Sequence, residues 1–182
     1  MIAFANTRGG ILLVGVGDDK TVPGLKHPED DAHVINQALA TCRPSLEVEE
    51  IFVPIDSKRM VIQYEVFESK RKPHYRLNSE GEKESFVRVQ DKSIKASREM
   101  REIIRRQAEA RNIRFAYGDH EHALMKHLDI HPHITLRQYT ELTGLKKYIA
   151  SQKLIRLVLA GVLRILPDER GDLFMMQAQK AG

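Results

Sequence analysis

A chain of 182 residues with 42% hydrophobic side chains and a formal net charge of +4 has material for one full domain and a smaller one, since domains typically run to roughly 100–150 residues. No apolar run approaches the roughly 20 residues that a bilayer crossing needs, and the single Cys42 excludes a disulfide framework and a multi-cysteine zinc site. The opening residues lack a basic n-region and meet Gly9-Gly10 too early for a secretory signal, so a cytoplasmic protein is expected.

The chain opens on Ala3-Phe4-Ala5-Asn6-Thr7-Arg8-Gly9-Gly10, read as a turn whose paired glycines permit positive φ and the close approach of a second backbone or a phosphate. Residues 11–16 then read as a buried strand, with Asp18 and Asp19 at its end. Glu29, Asp30 and Asp31 suit the positive end of a helix dipole, and Ala32, Ile35, Leu39 and Cys42 recur at helical spacing until Pro44. Cys42 reads as a small packed residue. Two strands follow, Leu46 to Pro54 and Met60 to Phe67, joined by a hairpin through residues 56–59.

The stretch from Glu68 to Arg76 is a basic loop, Lys70, Arg71, Lys72 and Arg76 flanking Tyr75. Cations there neutralise phosphates while the ring stacks on a base; a solvated loop is the other reading. A strand over residues 84–89 precedes Ser97, an N-cap for a helix from Arg98 to Arg111 whose inner side is Met100, Ile103, Ile104 and Gln107. Beyond Gly118 the pattern gives helices over 119–128, 136–142 and 147–159, then two short strands about a tip at residues 167–172. Three helices followed by a β-hairpin describe a winged helix-turn-helix. Its third helix would present Lys146, Lys147, Tyr148, Ser151, Gln152, Lys153 and Arg156 to duplex DNA, and its core face would be Ile149, Leu154, Leu157 and Val158. Arg164 and Arg170 fall on or near the wing. A dimerising or protein-binding module is the competing reading.

Other chemistries fit less well. Neither Gly10 nor Gly15 leads into the Lys-Ser/Thr of a P-loop, and the glycines lie before the strand as well as after it, unlike a dinucleotide fingerprint. The histidines at 120, 122, 127, 131 and 133 form no His-Glu-x-x-His array. No cofactor, metal site or catalytic residue is expected.

The opening motif, together with Gly15-Val16-Gly17-Asp18-Asp19, Val22-Pro23-Gly24-Leu25, Lys72-Pro73-His74-Tyr75 and Phe86-Val87-Arg88-Val89 before Ala96-Ser97, resembles the Schlafen-type AlbA-like DNA-binding domain, once called divergent AAA. The resemblance covers residues 1–97. It implies a mixed-sheet α+β domain that binds nucleic acid, in bacteria often joined to a winged helix in proteins described as transcriptional regulators. Some eukaryotic relatives cleave RNA with three carboxylates. Asp18 or Asp19 matches the last of these, and the two glutamates that precede the motif have no counterpart after Met1. The resemblance therefore points to a short form or fragment without catalysis, and an absent strand would leave a sheet edge for a second copy, a homodimer.

The expected organisation is an AlbA-like domain over 1–97, a linking helix over 98–117 and a winged helix over 118–182. The candidate nucleic-acid contacts in the first domain are Asn6, Thr7, Arg8, Gly9, Gly10, Lys72, Tyr75, Arg76 and Arg88. In the second they are Lys146, Lys147, Gln152, Lys153, Arg156, Arg164 and Arg170. DNA is the expected partner, with RNA a second polyanion. The alternatives are an RNA-processing or nucleotide-dependent enzyme with part of its site missing, and an interaction module.

Overall fold

A computed structural model describes residues 1–108 and 115–178. Contacts divide the chain into two compact units, Met1–Ser93 and Ile94–Gly182, each of mixed helix and strand.

The first unit begins with a short helix, α1 (Ile2–Asn6), where the sequence suggests a turn; five residues are too few for a periodic signal. β1 (Gly10–Val14) follows, and after a loop comes α2 (Pro28–Ala40), with Pro28 in its first turn and Glu29, Asp30 and Asp31 at its positive end. β2 (Val48–Pro54) and β3 (Met60–Val66) form the expected hairpin. β1 also pairs with β3, so the antiparallel sheet has the order β1-β3-β2 and β3 is its centre. Ile62 and Tyr64 of β3 are fully buried beneath Ala32 and Ile35 of α2, with Leu12, Val14 and Val48 beside them. The Tyr64 hydroxyl donates to Glu50 Oε1 at 2.6 Å, and burial together with that bond pushes its ionisation far above the ordinary range.

The expectation of a buried strand at 11–16 is corrected by this topology. β1 is an edge strand covered on one face only, so Leu12 and Val14 point to α2 while Ile11 and Leu13 are 54% and 47% exposed. Ile51 and Val53 of β2 lie on that same uncovered face, since Ile11, Leu13, Ile51 and Val53 stand opposite Glu65, Gln63, Gln63 and Val61 of β3. Two short ladders complete the unit's strands, β4 (Arg76–Leu77) with β5 (Lys83–Glu84), and β6 (Phe86–Val89) with β7 (Lys92–Lys95), inside which the division between units falls. The single strand expected over 84–89 is thus two, interrupted at buried Ser85.

The second unit holds α3 (Arg98–Ala108), α4 (Asp119–Ile130), α5 (Leu136–Thr143), α6 (Lys147–Leu159) and the antiparallel hairpin β8 (Leu163–Leu166) with β9 (Leu173–Met176). Of the linking helix expected over 98–117, residues 109–114 lie outside the described residues and 115–117 are not helical. Caps explain the breaks. Thr135 Oγ1 accepts from Gln138 N at 3.2 Å, starting α5, and Gly144 ends it at φ 69°, where a side chain would be strained. Ser97 caps α3 through Met100 N at 2.9 Å and also donates to the buried Asp172 carboxylate, which burial pushes above the usual carboxylate range. The core gathers Ile103 of α3, Leu124 of α4, Tyr139 of α5, Leu154 and Leu157 of α6, Leu163 of β8 and Phe174 of β9. Ile149, expected in this core, is 43% exposed, because it lies seven residues before Arg156 on the outward side of α6. Gln107, expected inward, is exposed.

Candidate nucleic-acid interface

The opening motif proves to be a structural clasp. Thr7 Oγ1 donates to Ala3 O at 2.8 Å and accepts from Arg88 N at 3.0 Å, joining α1 to β6. Gly9 sits at φ 74° with its N–H on Phe4 O at 2.9 Å, and a Cβ there would stand 2.7 Å from Val66 O. At Gly10 a Cβ would meet the Phe4 ring at 2.6 Å. The close approach that the glycines permit is thus made by the chain's own backbone and a ring.

Asn6 is likewise withdrawn from the interface, because it is 4% exposed and its amide is committed to His74, Ser85 and Phe86. Lys72 Nζ donates to Thr7 O at 3.0 Å and to Glu68 Oε1 at 2.6 Å, with only 14% of its side chain exposed, so it too is framework. Tyr75 is half-buried with Lys83 Nζ 4.6 Å from its ring centre, and Arg88 lies over the Phe4 ring at 5.0 Å and donates to Ser93 Oγ. Arg8 is exposed, as are Lys70 and Arg71 of the basic loop, and Arg76 keeps more than half of its side chain in solvent beside Glu84 at 3.2 Å. These four cations are the unit's outward charge from the motif and the loop.

His74 is the residue that sequence reasoning missed. It is 1% exposed, its Nδ1 lies 2.9 Å from Pro44 O, and its Nε2 has no hydrogen-bond partner among the described residues. A carbonyl can only accept, so Nδ1 carries the proton; burial, helped by Lys72 and Arg71, lowers the ring's basicity and keeps it neutral. Its only signal was a place in the Lys72-Pro73-His74-Tyr75 segment.

At the end of β1, Asp19 closes a tight loop by accepting from Thr21 Oγ1 at 2.6 Å and Thr21 N at 3.0 Å, bonds that hold its carboxyl below the usual range. Both Asp18 and Asp19 are exposed. Among the described residues, no three His, Cys, Asp or Glu side chains gather where they could hold a cation.

A comparison with protein families matches residues 1–97 to the Schlafen, AlbA_2 model, more than half of the chain. The chain belongs to the Schlafen AlbA_2 family. Membership of that family is compatible with a DNA-binding role, as are the exposed cations of the first unit. No curated protein and no solved structure matches the chain.

In the second unit of this Schlafen AlbA_2 chain, α6 is flanked on two sides. Arg98 of α3 lies 5.6 Å from the Tyr148 ring, Ser151 donates to Glu99 at 2.6 Å, and Gln152 accepts from Arg106 at 3.2 Å. On the other flank Lys153 Nζ pairs with Glu121 Oε1 of α4 at 2.6 Å, with Glu121 buried. Gln152 and Lys153 are therefore tied to the unit's own helices rather than held out as readers. Lys146, Lys147 and Arg156 are exposed, as are Arg164 on β8 and Arg170 in the hairpin tip. Arg106 and Arg105 both pair with Glu102, so α3 lines this side of the unit with arginines.

In the histidine run the His127 and His131 rings lie 4.4 Å apart between centroids. No described helix is long and apolar enough to cross a membrane.

Proposed function

We propose that the chain is a non-enzymatic DNA-binding protein of transcriptional-regulator type, in which α4, α5, α6 and the β8–β9 hairpin work as a winged helix-turn-helix. The observation that carries this reading is the outward set Lys146, Lys147, Arg156, Arg164 and Arg170, spread over the start and outer side of α6 and over the hairpin. Those are phosphate-positioning side chains on the two elements that such a module lays on a duplex. Arg8, Lys70, Arg71 and Arg76 would give the first unit a separate polyanion contact.

The test is fluorescence anisotropy of the full chain with duplex DNA, single-stranded DNA and RNA across a salt series. Duplex binding is expected to weaken with salt, and the variant Lys147→Ala/Arg156→Ala is expected to bind more weakly with a salt slope shallower by about 1.8, near 0.9 per lost phosphate contact. An unchanged slope in that variant would remove α6 from the interface. Lys153 is not used for this purpose, because its loss strands a buried carboxylate.

A second reading is favoured by the α3 contacts, which engage Tyr148, Ser151 and Gln152. In it the module docks a protein and shows no salt-dependent affinity for any nucleic acid.

The homodimer belongs to the first reading. Ile11, Leu13, Ile51 and Val53 are exposed aliphatic side chains flanking Gln63 and Glu65 on one face of a sheet with two edge strands, a surface that a second copy would bury. Sedimentation equilibrium is expected to give a dimer that Leu13→Lys converts to monomer; a monomer at every concentration would exclude it.

A further inference from the structure

α1 is only five residues long and α2 ends at Ala40, so the two helices leave the space between them and β1 incompletely filled. Thr41 caps α2 and the chain turns back, tucking Cys42 inward at 6% exposure. What remains is a cavity of about 350 Å³, at the small end of ligand pockets. Its walls are apolar: Ile2, Leu12, Ile35, Leu39 and Phe86.

The polar groups at this cavity have one sign. Thr41 and Ser93 contribute neutral hydroxyls, Cys42 a thiol that burial keeps protonated, and the basic groups are the Arg76 side chain and the Met1 α-amino group, whose basicity burial lowers. The Met1 α-amino group, Arg76 and Arg43 all act on the Cys42 sulfur with positive potential. No carboxylate lines the space. Glu84 accepts from Arg76 Nη2 at 3.2 Å, and the guanidinium, with five N–H donors on a side chain 54% exposed, can also meet a ligand acceptor.

We propose that this cavity binds a small amphipathic anion, a medium-chain carboxylate, with its apolar body against Leu12, Leu39 and Phe86 and its carboxylate on the Arg76 guanidinium. The apolar walls supply affinity, and the Arg76 guanidinium, the basic side chain among the lining residues, sets orientation and charge preference. Arg76 then serves a small ligand instead of, or in competition with, a polyanion. The inference is independent of the nucleic-acid reading.

Cys42 is the only cysteine of the chain and lines the cavity, which makes it a reporter. The experiment measures the rate at which a thiol reagent modifies Cys42 in the full chain, with decanoate, decanol or decylammonium present below their aggregation limits. Decanoate is expected to slow the reaction, and decylammonium to leave it unchanged. Ala38→Trp, at the rim on an exposed helical position, is expected to abolish protection, while Arg76→Gln is expected to weaken decanoate binding about tenfold and leave decanol binding unaltered. Arg76 is exposed, so Arg76→Gln keeps the fold even if the tryptophan variant does not. Equal protection by decanoate and decylammonium, no protection by decanoate, or indifference of decanoate to Arg76→Gln would each overturn the proposal.

Discussion

Replacing Asn6 with alanine is expected to lower the stability of the first unit by about 3 kcal/mol, because it orphans several buried groups at roughly 1–3 kcal/mol each, less what relaxation recovers. The Asn6 amide nitrogen reaches His74 O at 3.0 Å, Ser85 Oγ at 3.0 Å and Phe86 O at 2.9 Å, while its oxygen accepts from His74 N at 2.7 Å. One side chain thus pins the end of α1 to the segment before β4 and to β6, regions 68 to 80 residues away in sequence. Asn6→Asp keeps the volume and the acceptor but turns lone pairs toward two carbonyl oxygens, so it is expected to be at least as damaging at neutral pH and to recover on acidification. Urea unfolding, with exchange of the His74 N–H as a local readout, measures both. A loss under about 0.5 kcal/mol for the alanine variant would mean that the clasp is not a stability element and would return Asn6 to the candidate interface.

Lys153→Met is expected to cost the second unit about 3 kcal/mol at neutral pH, the usual penalty for leaving a buried charge without its partner. Glu121 is 3% exposed; burial pushes its carboxyl up, but the Lys153 bond, its own backbone N–H and the Gly118 N–H outweigh this and hold it below the usual glutamate range. A depressed carboxyl contributes stability that is complete above the ordinary glutamate range and is lost as pH falls through the folded-state value. In Lys153→Met burial dominates instead, the carboxyl takes up a proton more readily, and the penalty shrinks as pH falls. Urea midpoints at pH 7 and pH 4 for both proteins check the sign, and the same penalty at both pH values would show that Glu121 is not the stranded group. Lys153→Met/Glu121→Leu is expected to recover most of the loss. A DNA-binding defect in a Lys153 variant would accordingly report folding before recognition.

Regular elements were legible wherever periodicity ran for a full helix or a paired strand. α6 spans the 147–159 that its spacing predicts, α5 starts after Thr135, and β9 occupies 173–176. α1, β4 and β7 are not legible in the sequence, being five, two and four residues long; α1 is held by long-range contacts such as Asn6 to Phe86, while β4 and β7 pair with the neighbouring β5 and β6. The candidate site was legible as a set of residue types and not as a surface. Lys72, Lys153 and Arg8 look alike in sequence, yet two of them are tied into ion pairs at 2.6 Å and the third stands in solvent. Lys72 has a local partner in Glu68, four residues before it, but Thr7 O and Glu121, which bind Lys72 and Lys153, are 65 and 32 residues distant and no local pattern announces them.

The amino-acid sequence by itself determined the family, through the opening motif and its companions, and the order of helices and strands from residue 118 onward. Both rest on local pattern: backbone constraint at glycines, caps, and apolar spacing at period two or 3.6. Only the tertiary structure decided that Gly9 and Gly10 lie close against Val66 O and the Phe4 ring, that Ile11 and Leu13 face outward, and that Gln152 and Lys153 are engaged by α3 and α4. The physical reason is that a polar side chain is available to a partner only if folding has not already satisfied it, and which donor meets which acceptor is settled by distant segments brought together.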